Sequence, residues 1–504
     1  MSATLHDTAA DRRKATRREW IGLAVVALPC LVYAMDLTVL NLALPVLSRE
    51  LQPSSAQLLW ILDIYGFFVA GFLITMGTLG DRIGRRRLLL IGAALFAFAS
   101  VLAALADTAA LLIAARALLG LAGATIAPST MALIRNMFHD PRQRQFAIGV
   151  WIAAFSLGSA IGPLVGGVLL EFFHWGAVFW LNVPMMLLTL ALGPRFLPEY
   201  RDPDAGHLDL ASVLLTIYGL KQLAEHGAGL ASMAALLAGL AVGALFLRRQ
   251  GHIAYPLLDL RLFAHAPFRA ALAAYALAAL AMFGVYIFMT QYLQLVLGLS
   301  PLQAGLATLP WSLCFVIGSL LSPQLAARWP AARILVVGLS AAAFGFAVLG
   351  LGQGLWWLVP ATIVMGLGLA PVFTIGNEII ITSAPSERAG AASALSETVS
   401  EFSGALGIAL FGSVGLVVYR QALTSAALPG LPADALQAAG ASLGGAVHLA
   451  DTLPAWQGAA LLAAARAGFT DALQATAWAG AVLVLVAAGL VARLLRKRPA
   501  LASG

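Results

Sequence analysis

Apolar runs of about 20 residues recur along almost the whole chain, and a run of that length is what an α-helix needs to cross a hydrocarbon layer about 30 Å thick. Only 11% of the 504 residues are charged, against about a quarter in soluble domains, and the mean hydropathy is +0.90. That composition excludes an ordinary soluble enzyme and leaves a membrane chain of twelve to fourteen helices. The 49 glycines and 23 prolines fit the same class, because neighbouring helices in a bundle satisfy the backbone groups they free.

Hydropathy predicts spans at 20–42, 56–79, 88–106, 110–133, 146–169 and 175–192. Two more follow at 208–223 and 230–247, and then six at 268–293, 302–325, 334–351, 355–379, 390–417 and 476–494. The expected fold is an all-α polytopic membrane protein of fourteen helices, two six-helix bundles with an inserted helical pair. Its parts are a cytoplasmic tail at 1–19, an N-terminal bundle at 20–193, a linker with the extra pair at 194–250, a C-terminal bundle at 251–495 and a tail at 496–504. The connection 419–474 is much longer than the others; its Ala-rich stretches and prolines suit either an external helical hairpin or a loose linker.

Charge distribution orients the spans. With both termini in the cytoplasm, every Lys and Arg except Arg49, Arg116, Lys221, Arg420 and Arg466 faces that side, as the positive-inside rule requires. The formal charge of +7 is therefore topological, and no nucleic-acid partner is expected. The basic start at Arg12, Arg13, Lys14, Arg17 and Arg18 leads into a run too long for a signal-peptide core, so an uncleaved first span is expected. Cys30 and Cys314 lie in separate apolar runs and read as packing thiols. Aligning Gly92 with Gly338 also pairs Arg82 with Arg328 and Arg87 with Arg333, a faint internal repeat consistent with a duplicated six-helix unit. Such folds hold their substrate near the midplane between repeats.

Four segments carry more specific information. The loop after the second span reads Gly77-Thr-Leu-Gly-Asp81-Arg82-Ile-Gly84-Arg85-Arg86-Arg87, and the first span contains Asp36-Leu-Thr38-Val-Leu-Asn41-Leu-Ala43-Leu-Pro45. The fourth span carries Arg116-Ala-Leu-Leu-Gly120, and the fifth Gly158-Ser-Ala-Ile-Gly162-Pro163-Leu-Val-Gly166-Gly167. Together they resemble the major facilitator superfamily, in its fourteen-span drug:proton antiporter branch. Trp60-Ile-Leu-Asp63-Ile-Tyr65 and the acidic thirteenth span make the likeness nearest to exporters of quaternary ammonium compounds, dyes and viologens. That resemblance implies a bacterial inner-membrane efflux antiporter, with protons as the coupling ion and no other cofactor or metal. Its partners are lipophilic cations and membrane lipid, and it is expected to act as a monomer.

In the cytoplasmic turn, Gly77, Asp81, Arg82, Gly84, Arg85 and Arg86 serve either as a topological anchor or as a latch in which Asp81 engages a helix N-terminus or Arg135. In the fifth span, Gly158, Gly162, Gly166 and Gly167 permit close helix packing, and Pro163 permits a bend. Buried charge costs about 2.5 to 3.5 kcal/mol at a span's centre, so embedded ionisable groups mark a cavity or a partner. Here they are Asp36, Asp63, Arg116, Glu397 and Glu401, the last two four residues apart on one helical face. Each also has a purely structural alternative, as a polar helix contact or a neutralised pair. An apolar surround favours the protonated carboxyl and an adjacent cation the ionised one, so proton and cation compete for one negative site. Tyr33, Trp60, Tyr65, Trp151, Phe155, Tyr286, Tyr292, Trp311 and Phe402 are candidate cavity aromatics for a flat cation, with packing or the membrane interface as the alternative. The internal repeat sets Trp151 and Phe155 opposite Glu397 and Glu401. Two other functions remain open: export of another amphipathic metabolite or antibiotic, and a membrane sensor or scaffold that does not transport.

Overall fold

The structure, a computed structural model, describes residues 14–201, 241, 244–245, 248–249, 260–383, 389–426 and 433–495. The expected inserted pair at 208–223 and 230–247 lies outside the described residues, apart from isolated positions of the second helix. Among the described residues, eleven helices are long and apolar enough to cross a membrane, or twelve if the bent pair Gln57–Leu73 and Thr75–Ile83, at 50°, forms one span. Each of the twelve expected spans outside the inserted pair falls on one of these helices.

The chain divides into two compact units. The first draws on Met1–Val39, Phe67–Gly162 and Gly176–Leu257, the second on Leu40–Gly66, Pro163–Trp175 and Leu258–Gly504. Three helices, α1 (Arg17–Glu50), α2 (Ser55–Ile83) and α6 (Pro141–Phe172), contribute to both. The first unit adds α3 (Arg85–Ala104), α4 (Ala109–Gly123), α5 (Ile126–Met137), α7 (Ala177–Trp180) and α8 (Asn182–Phe196). Within it, α3 packs against α4, α5, α7 and α8. The expected fourth span is broken at Ala124 and Thr125, which separate α4 from α5. Cys30 is fully buried, its Sγ donating to Val26 O at 3.3 Å.

The second unit adds α9 (Ala266–Gln291), α10 (Pro301–Ala326), α11 (Ala331–Leu351), α12 (Leu355–Thr382), α13 (Ala389–Ser425), α14 (Ala433–Ala439), α15 (Leu443–Thr452) and α16 (Ala455–Leu495). Small residues let these helices meet backbone to backbone: a Cβ at Gly338 would lie 2.6 Å from Gly368 O, and one at Gly407 2.2 Å from Leu280 O. Thus α11 packs tightly on α12, and α9 on α13. The start of α10 carries a full capping box, with Ser300 and Gln303 bonding each other's backbone N–H and Pro301 at the first position.

One boundary needs correction. The expected last span at 476–494 is only the C-terminal part of α16, which runs for 41 residues, about 60 Å. Its N-terminal half is Ala-rich and has no proline after Pro454, so propensity carries the helix on through Arg466 and Asp471, where hydropathy falls, despite Gly458 and Gly468. Arg466 is also accounted for: its Nε donates to Leu295 O at 2.9 Å, at the π-helical turn Tyr292–Val296 after α9. The connection 419–474 is accordingly helical over most of its described length, with Tyr419 Oη donating to Ala439 O at 3.1 Å and Arg420 Nε to Gly440 O at 3.0 Å.

Candidate functional site

The first unit holds a buried polar cluster around Asp36. Asp36, on α1, is fully buried, and so is Arg116, on α4; Arg116 Nη1 donates to Asp36 Oδ2 at 2.6 Å. Asn182, the first residue of α8, donates from Nδ2 to Asp36 Oδ1 at 3.1 Å and to Ser100 Oγ, on α3, at 3.3 Å. Two helices, α4 and α8, therefore each bring a donor to one oxygen of the α1 carboxylate, and α3 joins the cluster through Ser100. A charge buried among apolar helices persists only when paired and hydrogen-bonded, and this arrangement supplies both. The sequence placed Asp36 and Arg116 as embedded charges; the structure joins them.

An aromatic group adjoins the cluster. Tyr33 precedes Asp36 by three residues, hence on the same face of α1. It packs edge-on against Phe155 at 5.6 Å, and Phe155 lies 4.7 Å from Trp151. Trp151 Nε1 donates to Thr130 Oγ1 at 3.0 Å, while Trp151 and Phe155 are only half-buried. Two partly exposed rings thus stack outward from Tyr33, which lies one turn from the carboxylate, an arrangement suited to a flat cation.

The fifth-span motif also has a definite packing role. A Cβ at Gly158 would meet Leu31 O at 2.3 Å, and one at Gly162 would meet Thr38 Oγ1 at 2.2 Å, so α6 lies directly against α1 in the first unit. Pro163 has no N–H to offer the carbonyl of Ser159. Thr38 Oγ1, which donates to Met35 O at 3.1 Å, also reaches Ser159 O at 3.5 Å and covers that carbonyl. In the second unit, a Cβ at Gly167 would meet Pro301 O at 2.7 Å, and one at Gly305 would meet Pro163 O at 2.6 Å; Gly166 is buried. Gly158→Val is expected to force α6 from α1, costing about 1–3 kcal/mol through overpacking. A lowered melting temperature of the purified variant, together with lost transport, checks this.

In the second unit, Asp63 on α2 is buried, and its Oδ1 has no hydrogen-bond partner among the described residues. Three residues on, a Cβ at Gly66 would lie 3.8 Å from Glu401 Oε2 and 3.5 Å from Ala405 Cβ, so Glu401 on α13 reaches α2 one turn from Asp63. Glu397 lies one turn before Glu401, and both are half-buried. The structure therefore places Asp63 and the Glu397–Glu401 face on adjoining helices. Tyr286 and Trp311 pair at 6.2 Å; Trp60 and Phe402 are half-buried and Tyr65 is buried. Tyr292 is differently employed: it is buried, and its hydroxyl accepts from Gly354 N at 2.9 Å, satisfying an orphan amide at the start of α12.

At the turn between α2 and α3, Asp81 pairs with Arg85 at 2.5 Å, and the nearly buried Arg85 also donates to Pro128 O at 3.4 Å. Gly77 lies against the same Pro128, on α5. Arg82 and Arg135 are exposed. Sequence reasoning missed the principal acid here, Glu199. Its Oε1 accepts from Arg86 N, at the N-terminus of α3, at 3.1 Å, and its Oε2 lies 3.5 Å from Arg86 Nε and 3.9 Å from Arg87 Nε. Gly84 makes the approach possible: its φ is +109°, and a Cβ there would sit 2.4 Å from Glu199 Oε1. Asn182 was also missed, because amides in an apolar run carry no charge to count.

Known proteins extend these observations. The family model described as Major Facilitator Superfamily matches residues 26–408. A Mycolicibacterium smegmatis protein, multidrug efflux pump LfrA, is 43% identical over 99% of this chain and 100% of its own length. Methyl viologen resistance protein SmvA of Salmonella typhimurium is 37% identical over 94% of this chain and 98% of its own. The tetracenomycin C resistance and export protein of Streptomyces glaucescens is 32% identical over 94% and 91%. In fold alone, a solved bacterial homologue of the human lysosomal transporter Spinster, inward-facing and unoccupied, matches at 18% identity with a TM-score of 0.71, over 97% of this chain and 100% of that one.

Proposed function

Because the chain belongs to the Major Facilitator Superfamily, we propose that it is a proton-driven efflux antiporter of lipophilic mono- and dications, working by alternating access. It sits in the inner membrane of a bacterium with fourteen spans and both termini cytoplasmic, and functions as a monomer. The observation that carries this reading is the fully buried Asp36–Arg116 pair beside the half-exposed rings of Trp151 and Phe155. The names of LfrA and SmvA support drug and viologen export.

The chemistry is competition. A proton on Asp36 releases Arg116 and weakens the site for a cation; a cation beside the carboxylate disfavours the proton. In the second unit, Asp63, Glu397 and Glu401 form a further acidic group of their own, able to take a second positive charge or a second proton. Exchanging one monovalent cation for one proton is electroneutral, whereas each additional proton adds about 2.3 kcal/mol per 100 mV, roughly fiftyfold in gradient. At least two protons per dication are therefore expected.

Asp63→Asn is expected to reduce methyl viologen export by about tenfold or more while leaving ethidium export within about threefold, since a second positive charge needs a second anionic partner. Resistance and initial efflux rates for both compounds check this. Expression in a pump-deficient bacterial strain tests the reading as a whole: ethidium efflux is expected, and a protonophore is expected to stop it. Failure to export any lipophilic cation would contradict it. The 32% identity to a tetracenomycin C resistance and export protein favours one other reading, export of another amphipathic metabolite or antibiotic, which the same strain measures through resistance.

A further inference from the structure

Asn182 is fully buried, gives both amide hydrogens to the Asp36 cluster, and leaves its own Oδ1 without a hydrogen-bond partner among the described residues. An orphaned buried carbonyl is costly, and the atom on the other arm of the amide touches the carboxylate on which the proposed proton exchange depends. The structure assigns Asn182, with Ser100, as a positioning pair that follows the protonation state of Asp36.

With Asp36 ionised, Arg116 holds Oδ2 and the Asn182 NH2 group holds Oδ1, the arrangement seen here. Once a proton occupies Oδ1, that atom becomes a donor and faces an NH2 group that can only donate. Rotation of the Asn182 side-chain amide by half a turn brings its carbonyl oxygen to the new O–H. Ser100 permits this, because a hydroxyl serves as acceptor in one state and as donor in the other. Asp36 is then hydrogen-bonded in both protonation states, and the unpartnered arm of the amide carries the oxygen in one and the NH2 group in the other. A leucine of similar size would serve neither, and the ionised state would lose one of its two donors.

The charged groups around Asp36 are few. α4 contributes Arg116, and α1 itself carries Tyr33 one turn away. The facing stretches of α3, α6 and α8 contain no charged or titratable residue within a turn of Ser100, Gly162 and Asn182. Arg116 is present in every variant below, so a change in proton binding traces to the amide.

The assignment rests on the antiport reading, and one experiment separates the two. Proton release on adding saturating ethidium is measured against pH for the purified full-length wild type, Asn182→Leu and Asn182→Thr. The wild type is expected to release protons. The pH midpoint of Asn182→Leu is expected to lie about one unit higher, a tenfold change for one lost charge-assisted hydrogen bond. Asn182→Thr, which retains a donor and an acceptor, is expected to return to within about 0.3 unit of the wild type. Equal midpoints in wild type and Asn182→Leu would overturn the assignment alone. So would weaker ethidium binding by the same factor at every pH, because that marks a packing role. Absence of proton release from wild-type protein that binds ethidium would overturn the antiport reading and the assignment together.

Discussion

Asp36→Asn is expected to abolish proton-driven export and to lower stability in part, because the fully buried Arg116 loses its counter-charge but keeps a hydrogen-bond acceptor. An asparagine retains the shape and still accepts a hydrogen bond from Arg116, but it can neither release nor capture a proton. Arg116→Ala should behave differently. It strands a fully buried carboxylate, and removing one member of such a pair costs about 3–5 kcal/mol, enough to unfold a marginal protein. The informative variant is the double one, Asp36→Asn with Arg116→Gln. It removes both charges, so stability should recover toward that of the wild type, because neither group is then buried unpaired. Transport should remain absent. Thermal unfolding of the purified variants, followed alongside ethidium efflux, separates the two effects. Recovery of export together with stability in the double variant would reduce the pair to a packing device.

Gly84→Ala is the second substitution expected to have a large effect. The glycine has a φ of +109°, a conformation any L-residue resists, and the added methyl would overlap the Glu199 carboxylate that holds the N-terminus of α3. Backbone strain alone costs about 1–2 kcal/mol, and displacement of Glu199 removes the partner of Arg86 and Arg87. Export is expected to fall severely in protein that still reaches the membrane. Glu199→Gln should be milder, because Arg86 N keeps an acceptor and the two ion pairs, at 3.5 and 3.9 Å, are long and partly solvated. Efflux rates normalised to membrane protein for both variants check the order. A Glu199→Gln loss as large as that of Gly84→Ala would make charge, rather than backbone geometry, the controlling factor.

The spans that fall on described helices were legible because hydropathy over about 20 residues is a property of each segment alone. The motifs around Asp36, Asp81, Arg116 and Gly158 were legible as residue types at set spacings, and the packing of Gly158 and Gly162 on α1 follows from the absence of side chains. What the sequence concealed depends on contacts between distant segments. Glu199 follows Gly84 by more than a hundred residues, and the local string Leu197-Pro198-Glu199 reads as an ordinary span end. A search for acids on the Arg-rich side would have included it, alongside Asp140, Asp202 and Asp204. Asn182 sits in the run 175–192 as one neutral polar residue, and only its meeting with Asp36 gives it a chemical role. The long reach of α16 was hidden for the opposite reason: hydropathy drops around Arg466 and Asp471 while helix propensity does not.

The central claim is that cation and proton exchange on shared buried carboxylates. Proton movement in proteoliposomes of the purified full-length protein measures this most directly, with an imposed pH gradient, a pH-sensitive dye inside, and methyl viologen added on the side from which it is exported. Uptake of the dication is expected to drive protons the other way, at two or more per dication, with no such flux in the Asp36→Asn variant. Methyl viologen transport at wild-type rates without accompanying proton movement would contradict the account.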